Sequence, residues 1–132
     1  MVVFLEWLPL ANFEIPRSLV LNSNVKTGWQ AKSRIAKQLR ERAGWTMKGA
    51  GLIATEHNPI VLKVTIEIDQ RRAFDPPNYA PTLKPLVDGM TDAGLWTDDN
   101  GDIITAVVFT RGEGKADKGT IRVTLHYSYD EI

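Results

Sequence analysis

The sequence predicts an α+β fold in which two main helices pack on a mixed β-sheet, in the order β-α-β-α-β-β. Three observations support this prediction. Apolar and polar residues alternate over residues 59–69, which is typical of a half-buried strand. Residues 103–110 and 120–129 are rich in β-branched and aromatic residues, as strands are. Two stretches with helical spacing of apolar residues lie between the strands, and this order predicts helices packed against a sheet.

The size and composition indicate an ordinary globular protein. The chain has 132 residues, which suits a single domain over residues 1–132. It contains no cysteine, so disulfides, thiolate zinc sites and cysteine nucleophiles are excluded. The apolar start "MVVFLEWLPL" includes Glu6 and Pro9 and is too short to cross a bilayer, so it predicts neither a signal peptide nor an anchor. We therefore expect a cytoplasmic protein with no membrane partner.

The first strand is predicted at residues 2–9, with an irregular segment after it. Residues 27–30, "TGWQ", match a capping box, in which Thr27 and Gln30 satisfy each other's free amides. A helix is expected from there to about Ala43, with Gly44 just past its end. Its predicted buried face consists of residues at helical spacing, namely Trp29, Ala36, Leu39 and Ala43.

The second half of the chain begins with the strand at 59–69. A second helix is predicted over 82–94, with Gly94 as its C-terminal cap and an apolar face of Leu83, Leu86, Val87 and Met90. Its start is open, because Pro81 and Pro85 each favour the first turn. The last two strands are joined by the glycine-containing loop "RGEGKADKG", which predicts a hairpin.

The neutral net charge hides two oppositely charged sections. Residues 26–48 contain seven bases and one acid, Glu41, which is a net charge of +6. Residues 69–102 contain seven acids and three bases, which is a net charge of −4. Such sections are consistent with two solvated faces of opposite sign. They are also consistent with a polyanion on the first section and metal ions on the second.

The acidic section contains "RRAFDPPNYAPTLKPLVDGMTDAGLWTDDNGD", residues 71–102, with six aspartates and no glutamate. Asp75 follows a strand, and Asp98 and Asp99 follow the second helix, so the helix separates them. They can meet only if the chain before Asp75 and the chain after Asp99 run side by side in the sheet. Asp88 lies one helical turn after Lys84 and is predicted to face the same cleft.

Converging carboxylates repel one another unless divalent cations lie among them. Magnesium fits best, because it takes hard oxygen ligands and typically uses one or two carboxylates together with phosphate oxygens. Two such ions stabilise the attacking and leaving oxygens of a displacement at phosphorus, and a lysine adds charge to the phosphate. Each residue also has a structural interpretation: Asp75 as a turn before Pro76, Asp88 as a surface partner of Lys84, and "TDDNGD" as a reverse turn.

These residues resemble the RusA family of Holliday junction resolvases, which are common in phages and prophages. "RRAFD" resembles the family's arginine run and first aspartate, and "KPLVDGMTDAGLWTDD" resembles its lysine, helical aspartate and paired aspartates. "LNSNVKTGWQAKSRIAKQLRERA" is similar to the family's asparagine-bearing loop and basic helix. The resemblance is densest over residues 71–99. Two departures are Pro77, where the family has a second aspartate, and three extra residues between Asn78 and Lys84.

The resemblance implies a homodimeric endonuclease of DNA recombination and repair that uses Mg²⁺ or Mn²⁺ to cut four-way DNA junctions, in a bacterial host or encoded by a phage. Asp75 and Asp99 are then the leading metal ligands and Lys84 is the cation on the phosphate side. Further candidate ligands are Asp88, Asp98 and the side-chain oxygen of Asn78. The implied DNA contacts are Arg71, Arg72, Lys32, Arg34, Lys37 and Arg40, with Asn24 added from the loop before the helix.

Two other functions fit the same sequence. The loss of an aspartate at Pro77 is consistent with a catalytically weak protein that binds DNA junctions without cutting them. The acidic loop is also consistent with a small α+β domain that binds a protein partner. The four tryptophans, Trp7, Trp29, Trp45 and Trp96, are expected mostly in the core or in a dimer contact, with stacking on unpaired bases as the alternative.

Overall fold

The computed structural model describes residues 6–130. It contains a four-stranded sheet and two α-helices, with short 3-10 turns at Arg17–Leu19 and Pro76–Tyr79. In chain order the elements are β1 (Leu8–Pro16), α1 (Trp29–Thr46), β2 (Ile60–Glu67), α2 (Ala80–Asp92), β3 (Ile104–Arg111) and β4 (Thr120–Tyr129). The predicted α+β fold and the predicted order of elements are confirmed.

The sheet is mixed, with the strand order β1-β4-β2-β3. β4 is antiparallel to both β1 and β2, whereas β2 and β3 are parallel and are connected through α2. The predicted hairpin between the last two strands is therefore wrong, because β2 lies between them. The alternation along β2 buries Ile60, Leu62, Val64 and Ile66 on one face, and the strand pairs with β3 on one side and with β4 on the other.

The first strand lies later in the chain than predicted. β1 begins at Leu8 and buries Phe13 and Ile15 between exposed Asn12 and Glu14, which is a period of two. Its prolines are tolerated because β1 is an edge strand, where an absent N–H breaks no ladder. The earlier part of the prediction, residues 2–5, lies outside the described residues.

The first helix differs from the prediction at both ends. Its N-cap is Gly28, with no side-chain capping bond, so the predicted capping box of Thr27 and Gln30 is not formed. It runs on to Thr46, which places Gly44 inside the helix. Gly44 is accommodated there because it faces α2, where an added Cβ would lie 3.5 Å from the carbonyl oxygen of Gly89.

The core forms where the helices cover one face of the sheet. The buried stripe of α1 is Ile35, Leu39 and Ala43, and that of α2 includes Leu83, Leu86, Val87 and Met90, as predicted for the second helix. Gly94 has a φ of +85°, which confirms it as the C-terminal cap. Trp29, by contrast, is 78% exposed, because it lies in the first turn of α1, beyond the contact with α2. Within residues 6–130 neither helix has the length and apolar character needed to cross a bilayer.

Candidate functional site

Lys84 joins two carboxylates from different parts of the chain. Its Nζ donates to Oδ1 of Asp88 at 2.9 Å and to Oδ2 of Asp99 at 2.6 Å. Since both oxygens bond one nitrogen, they lie no more than 5.5 Å apart. We call Lys84, Asp88 and Asp99 the Lys84 cluster. It is the part of the predicted site that the fold brings together.

Two elements position the cluster. Lys84 and Asp88 stand one turn apart on the same side of α2. Asp99 is held by the loop after α2, which Trp96 anchors: the indole is buried, and its Nε1 donates to Oγ1 of Thr91 at 2.7 Å. A turn closed by the carbonyl of Asn100 then leads into β3. The helix and the loop therefore place the two acidic side chains beside one lysine.

The hydrogen bonds stabilise the ionised state of the cluster. The bond from the Lys84 ammonium holds the pKa of the Asp99 carboxyl below its usual value, although partial burial acts in the opposite direction. The bonds to Asp99 and Asp88 raise the pKa of Lys84. At neutral pH the cluster carries two negative charges and one positive charge. It keeps a net negative charge at a half-exposed surface.

The other predicted ligands make different contacts. Asp75 is exposed, and its carboxylate forms no hydrogen bond or ion pair within residues 6–130. The side-chain oxygen of Asn78 accepts from Oγ of Ser23 at 3.3 Å. The carboxylate of Asp98 turns back to its own loop, where Oδ1 accepts from the amide of Asp99 at 2.7 Å. In the described part of the chain no three His, Cys, Asp or Glu side chains are grouped so as to hold a metal, so Asp75 does not complete a set of three with Asp88 and Asp99.

The sheet topology explains this separation. The chain before Asp75 and the chain after Asp99 do run side by side, as β2 and β3. They are parallel, however, with Ile60 beside Ile104 at one end and Ile66 beside Arg111 at the other. The chain thus leaves β2 toward Asp75 at one end of the pair and enters β3 from Asp99 at the opposite end. Asp99 therefore contacts Lys84 on α2 rather than Asp75.

The basic helix lies directly beside the cluster. Arg40 of α1 forms a bidentate pair with Asp92 of α2, at 2.6 and 2.8 Å. This pairing raises the pKa of Arg40, and the negative charges of Asp88 and Asp99 add to the effect. The helices approach closely because Gly89 has no side chain: a Cβ there would lie 2.2 Å from the carbonyl oxygen of Arg40. The remaining predicted bases of α1, which are Lys32, Arg34 and Lys37, are exposed and form no ion pair within residues 6–130.

The predicted DNA contacts outside α1 lie near the N-terminal end of α2, the end opposite Asp92. Arg71 and Arg72 are exposed, and Arg72 lines a hollow of about 250 Å³ together with Asn22 and Tyr79. The amide of Asn24 donates to Oδ1 of Asn22 at 2.8 Å, so Asn22 shapes the turn. Asn24 itself is exposed.

Thr82 is a positioning residue that the sequence interpretation missed. It is fully buried in α2, and its Oγ1 accepts from the amide of Leu21 at 2.8 Å and donates to the carbonyl of Leu21 at 2.6 Å. These bonds fix the asparagine-bearing loop to the first turn of the helix that carries Lys84. The only signal in the sequence was its spacing of four residues from Leu86, which places it on the buried face.

No protein-family model matches the chain, and no curated protein is similar enough to count as a relative.

Proposed function

We propose that the protein is a metal-dependent, structure-selective endodeoxyribonuclease that resolves four-way DNA junctions, as the resemblance to the RusA family implies. The observation that carries this proposal is the Lys84 cluster, in which one lysine bonds two carboxylates at 2.9 and 2.6 Å. A basic helix lies next to it through the pair of Arg40 and Asp92. A surface that joins cations to a compact acidic site suits a DNA phosphate and a metal ion together.

The residues of the cluster fit a divalent cation such as Mg²⁺ or Mn²⁺. Asp88 and Asp99 supply hard oxygen ligands that lie no more than 5.5 Å apart, and magnesium commonly takes only one or two carboxylates beside phosphate oxygens. Asp88 and Asp99 would hold the ion, which when bound supplies Lewis acidity at phosphorus and an acidified water. Asp75, Asp98 and Asn78 remain predicted further ligands.

Lys84 is suited to hold the scissile phosphate. Its ammonium is mostly exposed and is already bonded to both carboxylates. A phosphate oxygen beside the cluster would accept a charge-assisted hydrogen bond from the same nitrogen. Lys84 thereby orients the phosphate next to the carboxylates and stabilises the charge that develops on it.

The exposed bases are suited to grip the DNA backbone. Lys32, Arg34 and Lys37 on α1, with Arg71 and Arg72 before α2, have no acidic partner within residues 6–130. Contacts from such residues to phosphates release counterions and make binding strongly dependent on salt. Arg40 is neutralised by Asp92, so we assign it to holding the two helices together rather than to DNA.

A homodimer would provide the two sites that paired incisions require. The free edge of β3 supports this, because residues 105–110 carry no charge and no proline, and Val107 and Val108 are 42% and 43% exposed. The other edge strand, β1, carries Pro9, Glu14 and Pro16, which discourage pairing.

We expect sedimentation equilibrium to give about twice 14.8 kDa, and the double substitution Val107→Lys and Val108→Lys to give the monomer mass. A wild-type monomer at all concentrations would contradict this arrangement.

Junction cleavage by the Asp99→Asn variant tests the proposed function. Wild-type protein should cut a synthetic four-way junction only with Mg²⁺ or Mn²⁺. Asp99→Asn should lower the rate roughly 100-fold or more, because a metal site supplies several kcal/mol of charge stabilisation. The matched control is Asp102→Asn, an exposed carboxylate of the same loop that makes no side-chain contact with Lys84. Equal rates for Asp99→Asn and wild type would contradict the proposal.

One observation favours the second candidate, a protein that binds junctions without cutting them. In residues 6–130 no group of three acidic side chains is assembled, and Pro77 occupies the place of a family aspartate. The same assay separates the two candidates, since this one predicts junction binding that is independent of Mg²⁺ and is followed by no cleavage. Absence of junction binding at low salt would instead favour the protein-interaction domain.

A further inference from the structure

Trp45 presents a large aromatic ring to solvent on the basic helix. It lies one residue before the end of α1 and is 73% exposed. At 100° per residue, Trp45 points about 200° around the helix from Ala43 and about 120° from Leu39, the middle of the buried stripe. An indole buries a large apolar area when it has a partner.

Cations and small residues surround the ring. The Nζ of Lys48 lies over it, 4.9 Å from the ring centroid. Beside it is a depression of about 560 Å³, whose lining includes Lys37, Gly44 and Ala93. Gly44 and Ala93 leave room for a flat group against the indole. Lys37 and Lys48 provide positive charge for anionic groups attached to that flat group.

The depression reaches the ion pair of Arg40 and Asp92, which line it. Arg40 is also near enough to Asp88 and Asp99 for their charges to raise its pKa. The depression therefore lies close to the Lys84 cluster.

The charge of α1 determines which ligand fits. Seven bases against Glu41 give residues 26–48 a net charge of +6, and the depression is lined by Lys37, Arg40 and Lys48 against Glu41 and Asp92, so a polyanionic ligand fits. A paired duplex offers phosphates but hides its base faces, whereas an unpaired strand offers both phosphates and flat rings. Only the unpaired strand uses the indole and the lysines together.

We propose that Trp45 is a stacking platform for an unpaired nucleobase of DNA, with Lys37 and Lys48 contacting the phosphates on either side of it. This assignment rests on the proposed function, since the branch point of a junction is where unpaired nucleotides arise. It adds a base-binding site to the phosphate-binding helix. It also predicts a preference for single-stranded DNA next to the cut.

Fluorescence anisotropy in metal-free buffer tests this site apart from cleavage. The probes are a labelled oligothymidine, an abasic strand of equal length and the paired duplex. Trp45→Ala should weaken oligothymidine binding about 5- to 100-fold, the range found on removal of a stacking aromatic, and Trp45→Phe should weaken it less. Neither variant should alter binding of the abasic strand or the duplex.

Trp29→Ala is the matched control, because Trp29 is an equally exposed tryptophan on the other side of the same basic helix. It should bind oligothymidine as wild type does. The proposal is overturned if Trp45→Ala binds oligothymidine as tightly as wild type, or if it loses equal affinity for all three probes. The buffer contains no metal and the assay measures binding alone, so failure of the stacking site and failure of the nuclease are distinguishable.

Discussion

At the scale of single residues, Lys84 is what allows two carboxylates to stand close together. Asp88 and Asp99 would otherwise repel each other across at most 5.5 Å. The lysine neutralises one of the two charges, and its side chain is mostly exposed, so it has room to move. Lys84 thus keeps the Asp99 carboxyl ionised while its own side chain stays free to move.

We predict that Lys84→Met raises the pKa of the Asp99 carboxyl. In the wild type the hydrogen bond from Lys84 lowers this pKa below 3.8, so the bond contributes above that pH and is lost as the pH falls through the lowered pKa. Without the ammonium, only the like charge of Asp88 and partial burial remain, and both favour protonation. Carbon-detected NMR titration of the carboxyl measures the change.

Asp69 provides the control in the same spectra. Its pKa is lowered mainly by the amide of Gly119, with Arg17 adding to the effect, and neither contacts Lys84. It should titrate identically in both proteins. An unchanged pKa for Asp99 in Lys84→Met would show that the lysine does not govern the cluster.

Sequence reasoning found the local part of this site and missed the rest. The pair of Lys84 and Asp88 follows from a spacing of four on a helix. The resemblance implied only that Asp99 and Lys84 belong to one site; their bond was not predicted, since a loop of undetermined path separates the two residues. Thr82 was missed for the same reason, because its partner, Leu21, is 61 residues away.

At the scale of elements, Gly89 controls how closely α1 approaches α2. A Cβ at this position would lie 2.2 Å from the carbonyl of Arg40 and 2.7 Å from the Cβ of Ala43. The obstacle is largely helix backbone, which cannot rotate aside. The pair of Arg40 and Asp92, which joins the basic helix to the acidic one, depends on this approach.

We expect Gly89→Ala to lower the free energy of unfolding by roughly 1–3 kcal/mol, as overpacking of a close contact does. Gly44→Ala is the matched control across the same contact, because its nearest atom lies at 3.5 Å, an ordinary distance. That substitution should be neutral or should stabilise the helix by up to about 1 kcal/mol. Urea denaturation measures both, and a Gly89→Ala protein as stable as wild type would contradict the close approach.

Sequence patterns predicted the elements better than their partners. The alternation over residues 59–69 located β2, and the apolar spacing located the buried face of α2, because both patterns are local. The hairpin of β3 and β4 was wrong, since nothing local shows that β2 enters between them. Trp29 was misplaced because helical spacing gives the side of a helix but not how far along it a neighbour extends.

At the scale of the whole molecule, a protein with no net charge carries its two charged sections on neighbouring helices. The basic section is mainly α1 and the acidic section surrounds α2, and the helices meet at Arg40, Asp92 and Gly89. Under the proposed function, a polyanion bound along α1 would lie beside the Lys84 cluster. This arrangement suits a nuclease that holds DNA by its backbone.

Paramagnetic broadening of amide NMR signals by Mn²⁺ tests the central claim, that the Lys84 cluster takes a divalent cation. We predict that the signals of Asp88 and Asp99 vanish at the lowest Mn²⁺ concentrations, and that Asp99→Asn removes this effect while Asp102→Asn does not. The claim is contradicted if the broadening is centred on other carboxylates, such as Glu113 and Asp117, or if it is unchanged in Asp99→Asn.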